Sequence, residues 1–200
     1  MHYIKFDTIE STNDFLKRYS KEQALPGFFY VYTDLQTKGR GQHANSWQSA
    51  CCKNILLSIF IQPDLPVEKQ YILNQIVSIA IVKVLQKFNI PDIKIKLPND
   101  IMSGGKKIAG ILIENVISQK KWKQSIIGIG LNVNQTQFDA LPNATSMKLV
   151  TQQDFDVETV LGTLVKTIKE LCENKPNNLT ELFENQLLTK HNELPRSTLS

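Results

Sequence analysis

Between Val67 and Phe88 the apolar residues Leu73, Ile76, Val77, Ala80, Ile81, Val84, Leu85 and Phe88 recur at i, i+3 and i+4 over several turns, and this run does most to limit the fold. A long helix with so broad an apolar face must bury it against a sheet or against other helices. The runs around it are strand-like. Phe28 to Thr33 is aromatic and β-branched, Asn54 to Ile61 is mostly apolar, Pro91 to Leu97 alternates polar with apolar, and Lys107 to Glu114 and Trp122 to Asn134 read as two further strands. Residues 3–7 add a short one. A second amphipathic helix is marked by Val157, Val160, Leu161, Leu164, Val165, Ile168 and Leu171, with Asp156 as its N-cap, and a last helical stretch covers about 178–188. The expected fold class is α+β, with helices packed on a mixed, mostly antiparallel sheet. At 200 residues, 42% of them hydrophobic, the chain can bury one sizeable core and is too short for two domains of average size.

Several function classes drop out. Apolar runs are strand-sized, so no membrane-spanning helix is expected, and Met1 to Asp7 has none of the parts of a secretory signal. Cys51, Cys52 and Cys172 make an odd set without a CxxC pair, which fits a reducing compartment, and the expected location is the cytoplasm. No histidine or further cysteine stands at zinc-ligand spacing from Cys51-Cys52. A net charge of +4 suits an anionic small molecule or an acidic partner, without the basic arm that would point to nucleic acid.

The chemistry concentrates at strand and helix ends. In Lys38-Gly39-Arg40-Gly41-Gln42-His43-Ala44-Asn45-Ser46-Trp47 two glycines flank an arginine between two strands. Such a backbone can approach a ligand closely while the guanidinium offers fixed donors to an anion. The plain alternative is a solvated basic hairpin, although Trp47 needs something to pack on. Ser11-Thr12-Asn13 precedes a helix and reads equally as an N-cap or as polar groups facing a ligand. With Lys96-Leu97-Pro98-Asn99-Asp100, and with Lys107 beside Gly110, these clusters can meet on one rim of a sheet. Two cations, Arg40 and Lys107, one carboxylate, Asp100, and several amides and hydroxyls suit a substrate carboxylate and a phosphate, with Asp100 able to hold Mg²⁺. Other phosphate and hydrolase motifs are missing. Gly104-Gly105-Lys106-Lys107 lacks the first glycine and closing hydroxyl of a P-loop, Gly128-Ile129-Gly130 lacks a third glycine, and there is no GxSxG or HExxH.

The same residues resemble the motifs of biotin protein ligases, in order and at similar spacing. They are Ser11-Thr12-Asn13, Gln36-x-x-Gly39-Arg40-Gly41-Gln42 through Trp47, Lys96-x-Pro98-Asn99-Asp100, Lys107 to Glu114, and Gly128-x-Gly130-Leu131-Asn132. The likeness covers roughly residues 3–170. It implies the class II synthetase-like biotin/lipoate ligase catalytic fold and a two-step reaction. Biotin's carboxylate attacks the α-phosphate of ATP to give biotinyl-5′-AMP and pyrophosphate, and a lysine of a biotin carboxyl carrier domain then takes the biotinyl group as an amide. By this resemblance Ser11, Thr12, Asn13, Gln36, Gly39, Arg40, Gly41, Gln42, Lys107 and Gly110 would bind biotin. Arg40, Gln42, Trp47, Asn99, Asp100, Lys107 and Asn132 would serve ATP, with Asp100 on Mg²⁺, and Arg40, Lys107 and Asp100 would carry the chemistry.

Some positions depart from the family's commonest pattern: Leu97 replaces a tryptophan, Gln42 an arginine, His43-Ala44 a basic residue and a glycine, and Cys52 a glycine. Residues 1–188 are expected to be the catalytic domain and 189–200 a frayed tail, with neither the N-terminal winged helix nor the C-terminal SH3-like domain of some relatives. The expected partners are biotin, ATP and a carrier domain, with no nucleic acid and no membrane; a homodimer stays open. Two alternatives remain: a biotin-binding homologue with weakened catalysis, and a lipoate ligase or octanoyltransferase relative, which the Arg40 loop and Lys96-x-Pro-Asn-Asp fit poorly.

Overall fold

Seven strands form one sheet in the computed structural model, which describes residues 1–42, 45–139 and 141–188. In chain order they are β1 (His2–Ile9), β2 (Phe28–Gln36), β3 (Asn54–Ile61), β4 (Ile93–Lys96), β5 (Asp100–Ser103), β6 (Lys106–Ser118) and β7 (Lys121–Asn132). Across the sheet they lie in the order β1-β2-β3-β7-β6-β5-β4. β1 and β2 are parallel and are connected through helix α1 (Thr12–Glu22), while the other neighbouring pairs are antiparallel. This is the mixed, mostly antiparallel α+β arrangement that the strand-like runs require.

The helical run at 67–88 divides into a 3₁₀ turn at Val67–Lys69 and α2 (Tyr71–Lys87). A short α3 (Met147–Thr151), which the apolar pattern does not announce, precedes α4 (Val157–Glu173). The Asp156 carboxylate caps α4 by accepting from the Thr159 backbone N–H at 3.0 Å, as its place before the apolar periodicity predicts. α5 (Leu179–Glu184) is shorter than the helical stretch expected at 178–188. Its continuation is drawn to the sheet edge instead: Ile95 N donates to Gln186 O at 2.7 Å and Leu188 N to Ile95 O at 2.8 Å. Unpaired groups on β4 compete successfully with another helical turn. The polar tail at 189–200 lies outside the described residues.

Strand alternation divides the core into two layers. Ile55, Leu57 and Ile59 of β3 and Ile127, Ile129 and Leu131 of β7 join the apolar faces of α2 and α4 in the larger one. On the opposite face Leu16 of α1 packs with Phe29, Val31, Phe60 and Ile126. β3 is covered on both sides and all its residues are buried, which explains its nearly continuous apolar run. On that second face α1 rests on β2, β3 and β7. Beyond α1 the alternation presents Gly128 and Gly130 of β7 and Gly110 of β6 on one face, beside Leu112.

Candidate active site

The three glycines make the floor of a cavity of roughly 200 Å³ that opens to solvent. Gly110 and Gly130 are cross-strand partners. A Cβ on Gly130 would stand 2.3 Å from Cε2 of Trp47, and one on Gly110 would stand 3.0 Å from Cζ3 of the same ring. A Cβ on Gly128 would meet Asn13 Oδ1 at 2.5 Å. Close approach is therefore what these positions require, since a side chain at either β7 position would displace what lies above it. The close approach expected at Gly110 is by Trp47 and by Lys107, whose Nζ would be 3.3 Å from that Cβ.

The start of α1 forms one wall. Ser11 caps the helix by accepting from Asp14 N at 3.3 Å. Thr12 donates from its backbone N–H and its hydroxyl to Gln36 Oε1 at 2.8 and 3.0 Å, and the Ser58 hydroxyl lies 2.7 Å from Thr12 Oγ1 and 2.5 Å from Asn13 Oδ1. The triplet thus caps the helix and lines the cavity together with Gln36. Ser58 went unnoticed in the sequence because β3 reads as apolar.

The two described arms of the glycine segment, 39–42 and 45–47, pair with each other beside the cavity. Arg40 bridges to Ser46, Gly41 N donates to Asn45 O at 2.7 Å, and Trp47 N donates to Gly39 O at 2.9 Å. Arg40, Gly41, Gln42 and Trp47 line the cavity. Gly39 lies behind them, where a Cβ would be 2.5 Å from the Trp47 carbonyl oxygen. His43 and Ala44 lie outside the described residues. Cys52, at the position where the family usually has glycine, adopts a left-handed backbone with φ 60°, which accounts for that preference.

Arg40 NH2 sits 2.7 Å from Asp14 Oδ1 and 2.8 Å from Glu114 Oε2. Glu114 also accepts from Asn13 Nδ2 and Lys17 Nζ, each at 3.0 Å. It is the junction between helix and hairpin, and sequence reasoning saw it only as the end of a strand motif. Its position, even-numbered like Gly110 on the site face of β6, was the available signal. Burial alone would push the Glu114 carboxyl up, but hydrogen bonds from Lys17 and Asn13 and the Arg40 charge outweigh it and hold the group below the usual carboxylate range. A depressed folded-state value stabilises the protein fully above the unfolded value of about 4.3, and that stabilisation is lost as pH falls through the folded value. Urea unfolding midpoints measured from pH 6 downward should therefore fall below about pH 4.3 in the parent, and less steeply in Glu114→Gln.

Lys107 reaches the site through a bulge. Met102 pairs with Lys107 while Ile101 pairs with Ala109, so Ile108 is the extra residue, and a bulge re-aims the side chains beside it. Lys107 Nζ lies 2.6 Å from Asp100 Oδ1 and 5.5 Å from the centre of the Trp47 ring. Asn99 donates from Nδ2 to Ile111 O at 3.1 Å, and its side chain is among those lining the cavity. Asn132 lies in an adjoining hollow shared with Trp47, Asp100 and Lys107, its Nδ2 donating to Thr145 O at 2.9 Å. Trp47 Nε1 and Asn132 Oδ1 are buried and have no hydrogen-bond partner among the described residues, while the buried Asp100 Oδ1 is met by the Lys107 ammonium. The two unpartnered atoms fall here, which is where a polar ligand would satisfy them.

The family model described as Biotin/lipoate A/B protein ligase family matches residues 5–132. The bifunctional ligase/repressor BirA of Bacillus spizizenii is 34% identical over 160 residues, covering 78% of this chain and 49% of that protein. The biotin--[acetyl-CoA-carboxylase] ligase of Mycobacterium tuberculosis is 32% identical over 142 residues, covering 68% of this chain and 51% of that protein. The chain thus spans about half the length of these two relatives. Among solved structures, the biotin protein ligase of Aquifex aeolicus in complex with biotin and ATP superposes with a TM-score of 0.78 at 26% identity, over 94% of this chain and 78% of that one.

Proposed function

The chain belongs to the biotin/lipoate A/B protein ligase family, and from that premise we propose that it is a biotin protein ligase, with residues 1–188 as its catalytic unit. The observation that carries this reading is that Arg40 and Lys107, far apart in sequence, line one glycine-floored cavity with Ser11, Thr12, Asn13 and Gln36 at its other wall. The polar wall suits the ureido ring of biotin, with its donors and acceptors, and the two cations suit its carboxylate and the nucleotide phosphates. In the first step the carboxylate attacks the α-phosphorus of ATP and pyrophosphate leaves. The residues of this chain act by placement and charge: Arg40 and Lys107 oppose the mutual repulsion of two anions and stabilise the negative charge that develops between them. Both cations already face carboxylates, Asp14 and Glu114 on one side and Asp100 on the other, so they are held in place before any ligand enters. Asp100 is a single carboxylate, and among the described residues no three His, Cys, Asp or Glu side chains gather as a cation site. A Mg²⁺ held there would take its other ligands from the phosphates and water. In the second step a lysine amine of a carrier domain attacks the biotinyl carbonyl and AMP leaves.

The assay is direct. Incubated with biotin, MgATP and the carrier domain of a biotin-dependent carboxylase, the chain should add one biotinyl group to the carrier's lysine, and omission of either small molecule should abolish labelling. Tight biotin binding without pyrophosphate release would instead make it a binding protein, and labelling of a lipoyl domain with lipoate would place it with the lipoate branch.

A further inference from the structure

We propose that Cys51 and Cys52 form a vicinal-dithiol modification site, which small-molecule disulfides convert to an intramolecular disulfide. The two thiols are exposed and their sulfurs are 3.1 Å apart. Consecutive side chains diverge in an extended strand, but the left-handed backbone at Cys52 turns the chain so that these two converge. The turn is pinned from both sides. Cys52 N donates to Asp34 O at 3.0 Å, Ala50 N donates to Gln135 Oε1 at 2.9 Å, and Asn134 N donates to Lys53 O at 2.7 Å. The sulfurs are thus held together by the surrounding strands and not by chance in a free loop. The third cysteine offers no such partner: Cys172 is half-buried in α4, where burial and then the Glu173 charge push its thiol up to about 11.

The Cys51 thiolate attacks one sulfur of a disulfide R–S–S–R, forming Cys51–S–S–R and releasing RS⁻, which takes up a proton. Cys52 then loses its proton and attacks Cys51 Sγ, expelling the second RS⁻. Two protein thiols are oxidised and one small disulfide is reduced to two thiols. The hydrogen bond with Cys51 raises the Cys52 thiol above its ordinary value, with lesser contributions from burial and the Asp34 charge. The atoms balance equally if Cys52 attacks first and Cys51 closes the bridge.

The test uses the full chain, glutathione disulfide as oxidant, an acid quench and peptide mass spectrometry. The peptide containing residues 51–52 should lose the mass of two hydrogens at least ~10-fold faster than Cys172 is modified, and dithiothreitol should restore it. Cys51→Ser should abolish that loss and leave at most a single glutathione adduct on Cys52, while Cys172→Ser should behave as the parent. Stable glutathione adducts on both cysteines of the pair, a link from either to Cys172, or a peptide still reduced when Cys172 has reacted would overturn the proposal. None of these readouts depends on ligase activity.

Discussion

Replacing Lys107 with alanine should reduce the rate of biotinyl-5′-AMP formation by ~100-fold or more, the scale expected when one preorganised charge contact to a developing anion is removed. The side chain lies between Asp100 at 2.6 Å and the Trp47 ring at 5.5 Å, directly beside the glycine floor. Loss of the aliphatic stem would also loosen packing, so Lys107→Met serves as the decisive companion: it keeps the stem against the indole and removes only the charge. Single-turnover formation of the adenylate should be as slow in the methionine variant as in the alanine variant. Recovery of most of the rate in Lys107→Met would mean that the lysine acts by packing and not by charge.

The second large effect concerns a residue with no chemistry of its own. Gly130→Ala places a methyl group where Cε2, Cζ2 and Cδ2 of Trp47 would be 2.3, 2.5 and 2.7 Å away, and backbone strands on both sides prevent the sheet from yielding. The indole must leave the floor, and the hairpin that ends at Trp47 must shift with it. Overpacking of this kind costs ~1–3 kcal/mol of stability, small enough for the protein to stay folded. Adenylate formation should nevertheless fall by at least ~10-fold, because misplacing reacting groups by about an ångström is costly. A urea melt together with stopped-flow activity separates the two effects. An unchanged rate would show that the position of Trp47 on the glycines is unimportant for the reaction.

The parts of the molecule readable from the sequence are those specified by local pattern. The helical period from Leu73 to Leu85, the alternation before Pro98 and the Asp156 cap each state a local structure, and each is found. Trp47 announced its need for a packing partner, and Gly110 its close neighbour, without revealing that the two meet. The floor itself was not legible: Gly128 and Gly130 read as the end of a strand, because only the cross-strand register with Gly110 shows that the three share one face. Lys107 depends on a bulge opposite Ile101 and Met102 that no alternation rule contains. Glu114 binds Asn13, Lys17 and Arg40 across long sequence separations, and such pairings are decided by tertiary packing. At the end of α5, likewise, a helical pattern yields to the β4 edge.

Two cations and a polar wall on a glycine floor should be enough to join biotin to a nucleotide. This is tested most directly by incubating the purified chain with biotin and MgATP, without any acceptor, and examining the bound small molecules by mass spectrometry. Biotinyl-5′-AMP should be retained on the protein and pyrophosphate released, and neither should appear when Arg40 and Lys107 are replaced together. A folded chain that binds biotin and ATP yet yields no adenylate would contradict this.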